Sequence, residues 1–199
     1  MRILAIDTST DACSAALYQD QHCSEYFELC PAKHTEKILP QINQLLTNAG
    51  ITLSEVDGIA FGQGPGSFTG VRIAVSIAQA LGFGLNKPLL PVSTLRAMAQ
   101  AAFLANGYRQ VVPCLDARLQ AVYWGLYQVN EDNIMMPLQP DAVGPLVDVR
   151  LPDAKTWTII KEQYPHAKDI GRLGAYDLQQ GRFVSAVDAV PHYVRDKVV

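Results

Sequence analysis

Apolar residues in this chain switch between two periods. Near the start they run without a break, Ile3-Leu4-Ala5-Ile6, and end on Asp7 and a polar turn, Thr8-Ser9-Thr10-Asp11. This pattern predicts a buried strand over 2–7. Residues 12–18 and 22–29 read as two more strands, turned at Gln19-Asp20-Gln21. The period then lengthens. Ile38, Leu39, Ile42, Leu45, Leu46 and Ala49 fall at helical spacing, with Pro40 expected to bend the first turns and Gly50 to close the helix. A strand over 57–61 leads into Gly62-Gln63-Gly64-Pro65-Gly66-Ser67-Phe68-Thr69-Gly70. The following helix, over 68–83, is apolar on nearly every side. Its polar stripe is Arg72, Ser76 and Gln79, and so narrow a wet face predicts cover on two sides, one by its own sheet and one by a second protein. A short strand over 88–92 follows, and Ser93 is a good N-cap for a helix over 94–105.

The opening pattern then repeats. Residues 109–116 again form a strand ending in an acid, Asp116, followed by a turn over 117–120, a β-rich run over 121–129 and another turn over 130–133. The duplication predicts two related halves, and the order βββαβαβα predicts a mixed sheet flanked by helices. Beyond residue 137 the signal thins. Residues 156–164 fit a strand or a helix, 192–199 fit a strand, and a complete second half cannot be assembled. The expected division is a first lobe of residues 1–106 and a smaller one of 107–199.

Composition narrows the class. With 199 residues, 49% hydrophobic and 18% charged, the chain reads as a folded protein, and no run approaches the roughly 18 apolar residues of a membrane span. Asp7 arrives too early for a secretory signal. Cys13, Cys23, Cys30 and Cys114 make no CxxC pair, which predicts reduced, packed thiols and a cytoplasmic protein. A net charge of −3 argues against independent capture of nucleic acid.

The candidate chemistry is sparse. Asp7-Thr8-Ser9 and Asp116 are carboxylates at matching strand ends, where a duplicated nucleotide-binding fold would hold a metal-bound phosphate. Asp116, however, is followed by Ala117 and Arg118 instead of the small residues that cradle phosphate. His34-Thr35-Glu36 resembles the start of a helical metal site, but position 38 is Ile38, and His22, His166 and His192 are scattered. The loop of Gly64, Gly66, Ser67 and Gly70 feeds a helix N-terminus and so offers amides to an anion. It is not a Walker loop, because no Gly-Lys-Ser/Thr follows, and it stands after the fourth strand, not the first as in a dinucleotide fingerprint. Ser67 reads as a helix cap, since spacing marks no catalytic base for it. Cys13, Tyr123 and Trp124 read as packing residues.

Several segments together resemble one family: Ile3 through Ser9, His34-Thr35, Gly64 through Ile73, Val92-Ser93-Thr94-Leu95, Asp116-Ala117-Arg118, and Pro191-His192-Tyr193-Val194-Arg195. They are similar to the TsaB family, formerly called YeaZ. The resemblance implies the actin/sugar-kinase/Hsp70 fold, with duplicated ribonuclease-H-like lobes, mixed sheets and here a reduced second lobe. It implies a non-catalytic scaffold in threonylcarbamoylation of the adenosine next to the anticodon, in tRNAs that read codons beginning with A. The partner implied is the paralogue TsaD, which carries the metal and transfers the group. TsaE, an ATPase, joins that complex; tRNA is met only within it; and the chain alone pairs with itself. No cofactor or metal is expected on this chain, so ATP, ADP and metal belong to the partner or the interface with it. On this basis Asp7, Thr8, Ser9 and Asp116 are vestigial nucleotide-site positions. The expected partner surface joins the helices over 35–47 and 68–83, through His34, Ile38, Ile42, Val71, Arg72, Val75 and Ile77. The family pattern usually has Glu where this chain has Ala121. The rival readings are a nucleotide-dependent kinase or ATPase using Asp7, Thr8 and Asp116, and a metallopeptidase.

Overall fold

A computed structural model of the chain describes residues 1–20, 22–149, 151, 153 and 155–194. The first sheet has five strands in the order β3-β2-β1-β4-β5: β1 (Arg2–Asp7), β2 (Ala12–Gln19), β3 (His22–Leu29), β4 (Gly58–Gly64) and β5 (Leu89–Ser93). β1, β2 and β3 form an antiparallel meander, while β1, β4 and β5 run parallel. The parallel strands require crossovers, and α1 (His34–Ala49) and α2 (Phe68–Leu85) provide them.

Both faces of this sheet are covered, which explains the unbroken apolar run in β1. Leu4, Ile6 and Leu17 pack with α1 and α2, whereas Ile3, Ala5 and Tyr18 face the opposite side. That opposite side is closed by α4 (Ala167–Gln179) through Ile170 and Leu173. This helix is not among the elements expected from the sequence, although Ala167, Ile170, Leu173 and Leu178 share one helical face, and it corrects the expected division at residue 106. A helix from the second portion completes the first lobe, so residues 107–199 are not a lobe of their own.

The second sheet is built on β6 (Gln110–Asp116). The expected run over 121–129 is two pieces, β7 (Val122–Trp124) and β8 (Tyr127–Val129). Both hold one antiparallel register on β6, Cys114 opposite Trp124 and Val111 opposite Tyr127. The gap lies beside Pro113, which has no N–H to give the ladder. β9 (Met135–Pro137) pairs with β8 and β10 (Ala142–Gly144) with β7. β11 (Thr158–Ile160) runs parallel to β6, resolving the open choice over 156–164 as a strand. All these strands except β6 have three residues. α3 (Thr94–Asn106), capped by Ser93 Oγ, packs on this sheet through Leu95, Met98 and Ala102.

By length and composition alone α2 is apolar enough to cross a membrane, which corrects the expectation that no such run exists. It lies instead on the first sheet with Val71, Ala74, Val75 and Ala78 buried. Part of its remaining surface is met by the chain itself. Gln79 Nε2 donates to the Ala189 carbonyl at 2.7 Å, and Val184 pairs with Leu89 along the β5 edge. The expected strand over 192–199 is not formed at 192–194; Arg195 and the rest of that segment lie outside the described residues.

The lobes are held by a buried cation. The Arg96 guanidinium in α3 donates to Asp177 in α4 at 2.6 and 3.3 Å and to the Met135 carbonyl in β9 at 2.8 Å. Arg182 donates to the same carboxylate at 2.7 Å. Replacing Asp177 with Ala strands Arg96 in the interior. The expected loss is about 3–5 kcal/mol, read from urea unfolding. A loss below about 1 kcal/mol would place the join between the lobes elsewhere.

Candidate functional site

The turn after β1 and the glycine loop after β4 fold against each other. A Cβ at Gly62 would overlap Asp7 Oδ2, one at Gly66 the Ser9 carbonyl, and one at Gly70 the Thr8 carbonyl. Gly64 has φ +105°, a conformation that favours glycine, and the His192 carbonyl would lie 2.8 Å from a Cβ there. Hydrogen bonds seal the contact. Thr8 Oγ1 donates to the Gly70 carbonyl at 2.7 Å, and Ser67 N to the Ser9 carbonyl at 2.7 Å. Ser67 Oγ accepts from Gly70 N at 3.3 Å, as a cap should. The amides of Ser67 and Gly70 thus serve the chain itself. Two of the amides expected to cradle an anion are therefore engaged within the chain.

Asp7 is wholly enclosed. Its Oδ1 accepts from Ser9 N at 3.0 Å and from Ser9 Oγ at 2.9 Å, while Oδ2 is buried without a partner. Burial pushes its pKa to about 7, against smaller opposing effects from Ser9 and His166. Its face of the sheet is the one α4 covers: a Cβ at Gly62, where Oδ2 sits, would lie 3.5 Å from Ile170 Cδ1. Asp116 is different. It is exposed, accepts from Arg118 N at 2.9 Å and pairs with the Arg118 guanidinium at 3.6 Å. Asp116 lines a cleft of about 840 Å³ between the lobes, with Ser9, Ser67, Phe68, Lys161 and Tyr193. Asp7 does not line it. The two carboxylates that sequence placed at matching strand ends therefore do not share a site. Among the described residues, no group of three His, Cys, Asp or Glu side chains is placed to hold a metal.

The expected partner surface needs correction. Ile38, Ile42, Val71 and Val75 are core residues, all at most 3% exposed, and Ile77 is half-buried against the same core. They lie on the stripes of α1 and α2 that face the sheet. His34 is buried too, its Nε2 donating to the Thr10 carbonyl at 2.7 Å, so it holds the β1 turn. Only Arg72 faces outward as expected. Its guanidinium lies 3.3 Å from the Phe68 ring centroid and 5.5 Å from that of Tyr193. The outward face of α2 carries Phe68, Arg72, Ser76 and Phe83, with Phe83 78% exposed, and α1 adds Leu39 at 54%. Phe68 and Phe83 continue the stripe that Arg72 and Ser76 mark. That spacing was available in the sequence as the signal for them.

Two sheets of related order, joined through α3 and closed at the back by α4, define a two-lobed actin-like protein whose first acidic position is shut. The family model described as TsaD, tRNA N6-adenosine threonylcarbamoyltransferase, matches residues 27–179. The tRNA threonylcarbamoyladenosine biosynthesis protein TsaB of Escherichia coli is 41% identical over 196 residues, covering 96% of this chain and 85% of the relative. The TsaB protein of Bacillus subtilis is 34% identical over 149 residues, covering 74% and 64%. A crystal structure of a Pseudomonas aeruginosa protein described as similar to peptidase YEAZ superposes with a TM-score of 0.93 at 38% identity, over 98% of this chain and 99% of that one. The chain belongs to the TsaB (YeaZ) family.

The enclosed acid has a measurable signature. Between pH values of about 4 and 7 the folded chain keeps a proton on Asp7 that the unfolded chain releases. Stability therefore falls as pH rises through that window and levels off above it, by on the order of 4 kcal/mol at most. Asp169, buried and raised to about 6, adds slope of the same sign. Urea unfolding across pH should show Asp7→Asn removing most of the slope; an unchanged slope would mean that Asp7 reaches water.

Proposed function

We propose that this chain is a non-catalytic subunit of the machinery that makes threonylcarbamoyladenosine in tRNA, and that it acts by docking onto a TsaD-type transferase. The observation that carries this reading is a contrast within one lobe. The acid that a catalytic relative would need, Asp7, is sealed beneath α4, while α2 keeps Phe68 and Phe83 in water. Buried aromatic and arginine side chains are the usual anchors of a protein interface, and Phe68, Arg72 and Phe83 supply them on one helix face. The names of the relatives supply the pathway.

In this reading the docking surface is the outward face of α2 with Leu39 of α1, and the buried isoleucines and valines support it from below. TsaE and tRNA are met within the complex. Nucleotide and metal belong to the partner or to the junction with it, and the same α2 face serves self-association when the partner is missing. The chain works in the cytoplasm. A scaffold need not touch substrate to raise a rate. Binding the active form of the partner about 3 kcal/mol more tightly than the inactive form raises its population ratio roughly 100-fold.

The test is a reconstituted tRNA assay with the transferase, with and without this chain, beside gel filtration of the mixture. Phe83→Glu should weaken the complex by about 2 kcal/mol or more and reduce modification in step, with unfolding unchanged. Ile38→Ala should instead cost about 2–5 kcal/mol of fold stability. Unaltered binding by Phe83→Glu would remove α2 from the interface. Tight ATP binding and turnover by the isolated chain, lost in Asp7→Ala, would favour the kinase or ATPase rival.

A further inference from the structure

Cys13 and Cys30 come together where β3 hands over to α1. Cys13 lies opposite Glu28 in the β2–β3 ladder, and Cys30 N donates to the Asp11 carbonyl at 3.0 Å, extending the ladder by one step. The two cysteines are thus diagonal neighbours on one face of the sheet. Both are buried in the cluster that α1 covers, and both are free thiols. The Cys13 thiol donates to Gln41 Oε1 at 3.7 Å, and Cys30 is its diagonal neighbour across the ladder.

We propose that Cys13 and Cys30 form a reversible disulfide by exchange with a low-molecular-weight disulfide such as oxidised glutathione, drawing the β3–α1 connection onto the sheet. Cys30 is the entry point, because it is 5% exposed where Cys13 is fully enclosed, and it stands one residue past the end of β3. Its thiolate attacks one glutathione sulfur. That S–S bond breaks, one glutathione leaves as thiolate, and Cys30 holds the other as a mixed disulfide. The Cys13 thiolate then attacks the Cys30 sulfur and expels the second glutathione. Two protein thiols are oxidised, one small disulfide is reduced to two thiols, and the two protons pass to the departing thiolates. Burial raises both thiols, Cys13 to about 12, so the exchange is slow and waits on local opening at the β3 end.

The bond would act on α1. Closing it moves Cys30 toward Cys13 and takes Cys13 from Gln41, a buried residue of that helix. The Cys30 carbonyl accepts from Lys33 N at 2.9 Å, and the Lys33 carbonyl from Glu36 N at 3.0 Å. A shift of Cys30 therefore reaches the first turn of α1.

The full chain should be equilibrated in glutathione buffers from reducing to oxidising, alkylated, and mapped by peptide mass spectrometry. N-acetylcysteine added to the same buffers serves as the internal measure of oxidation. Cys13 and Cys30 should lose alkylation together and appear as one linked pair. Cys13→Ser should leave Cys30 as a glutathione adduct, and Cys30→Ser should leave Cys13 alkylated. The proposal is overturned if Cys13 and Cys30 stay alkylated where N-acetylcysteine is fully converted to its mixed disulfide, or if Cys30 is found linked to Cys23 or Cys114.

Discussion

The close approach of the glycine loop to the turn after β1 is the constraint from which much of this molecule follows. At Gly62, Gly66 and Gly70 a side chain would collide with Asp7, Ser9 and Thr8 in turn. The contact starts α2 directly behind the end of β1, which brings Val71 and Val75 under the sheet and leaves Phe68 in the wall of the cleft. It also shuts Asp7 away. A glycine loop at a helix N-terminus can hold an anion when its amides are unspent. Here Ser67 N and Gly70 N already have partners within the chain. A loop that looks like a binding device is a structural clasp.

The second lobe is held by polar contacts of a different kind. Ser93 Oγ, at the start of α3, donates to Asp141 at 2.6 Å, and Tyr127 OH donates to the same carboxylate at 2.5 Å. Arg96, one turn along the helix, ties Met135 and Asp177. Both sets of contacts are largely buried, where a hydrogen-bonded charge fixes geometry more than it adds stability. α3 is thus the beam between the lobes. The cleft beside it is wide, and its walls carry Asp116 and Lys161 in place of an enclosed acid.

Much of the first lobe was legible in the sequence, because its strands and helices carry strong periods and its caps are standard: Ser67, Ser93 and Gly50 stand where the structure uses them. α4 was not among the elements expected. Gly171 and Gly174 weaken its helical propensity, yet the sheet demands them: a Cβ at 171 would press on Tyr18 and Ala5, and one at 174 on Ala60. Tertiary packing, not local preference, makes that helix. The candidate surface failed for a related reason. Periodicity says which apolar residues share a face but not which face meets the sheet, so Ile38 was read as contact surface when exposed Leu39 beside it is the outward residue. Gln79 misled in the same way, since its amide is satisfied by Ala189.

The route of the chain through the first lobe has a consequence for biosynthesis. Ile3, Ala5 and Tyr18 are made well before the helix that shields them, Ala167–Gln179, which follows all the strands of the second sheet in the chain. Throughout synthesis of the second lobe the nascent sheet must carry a naked greasy face. Contacts so distant in sequence form late and slowly, and such intermediates are prone to aggregate. A truncated product ending before residue 167 would keep that face uncovered for its whole lifetime, making it a natural client for chaperones and proteases.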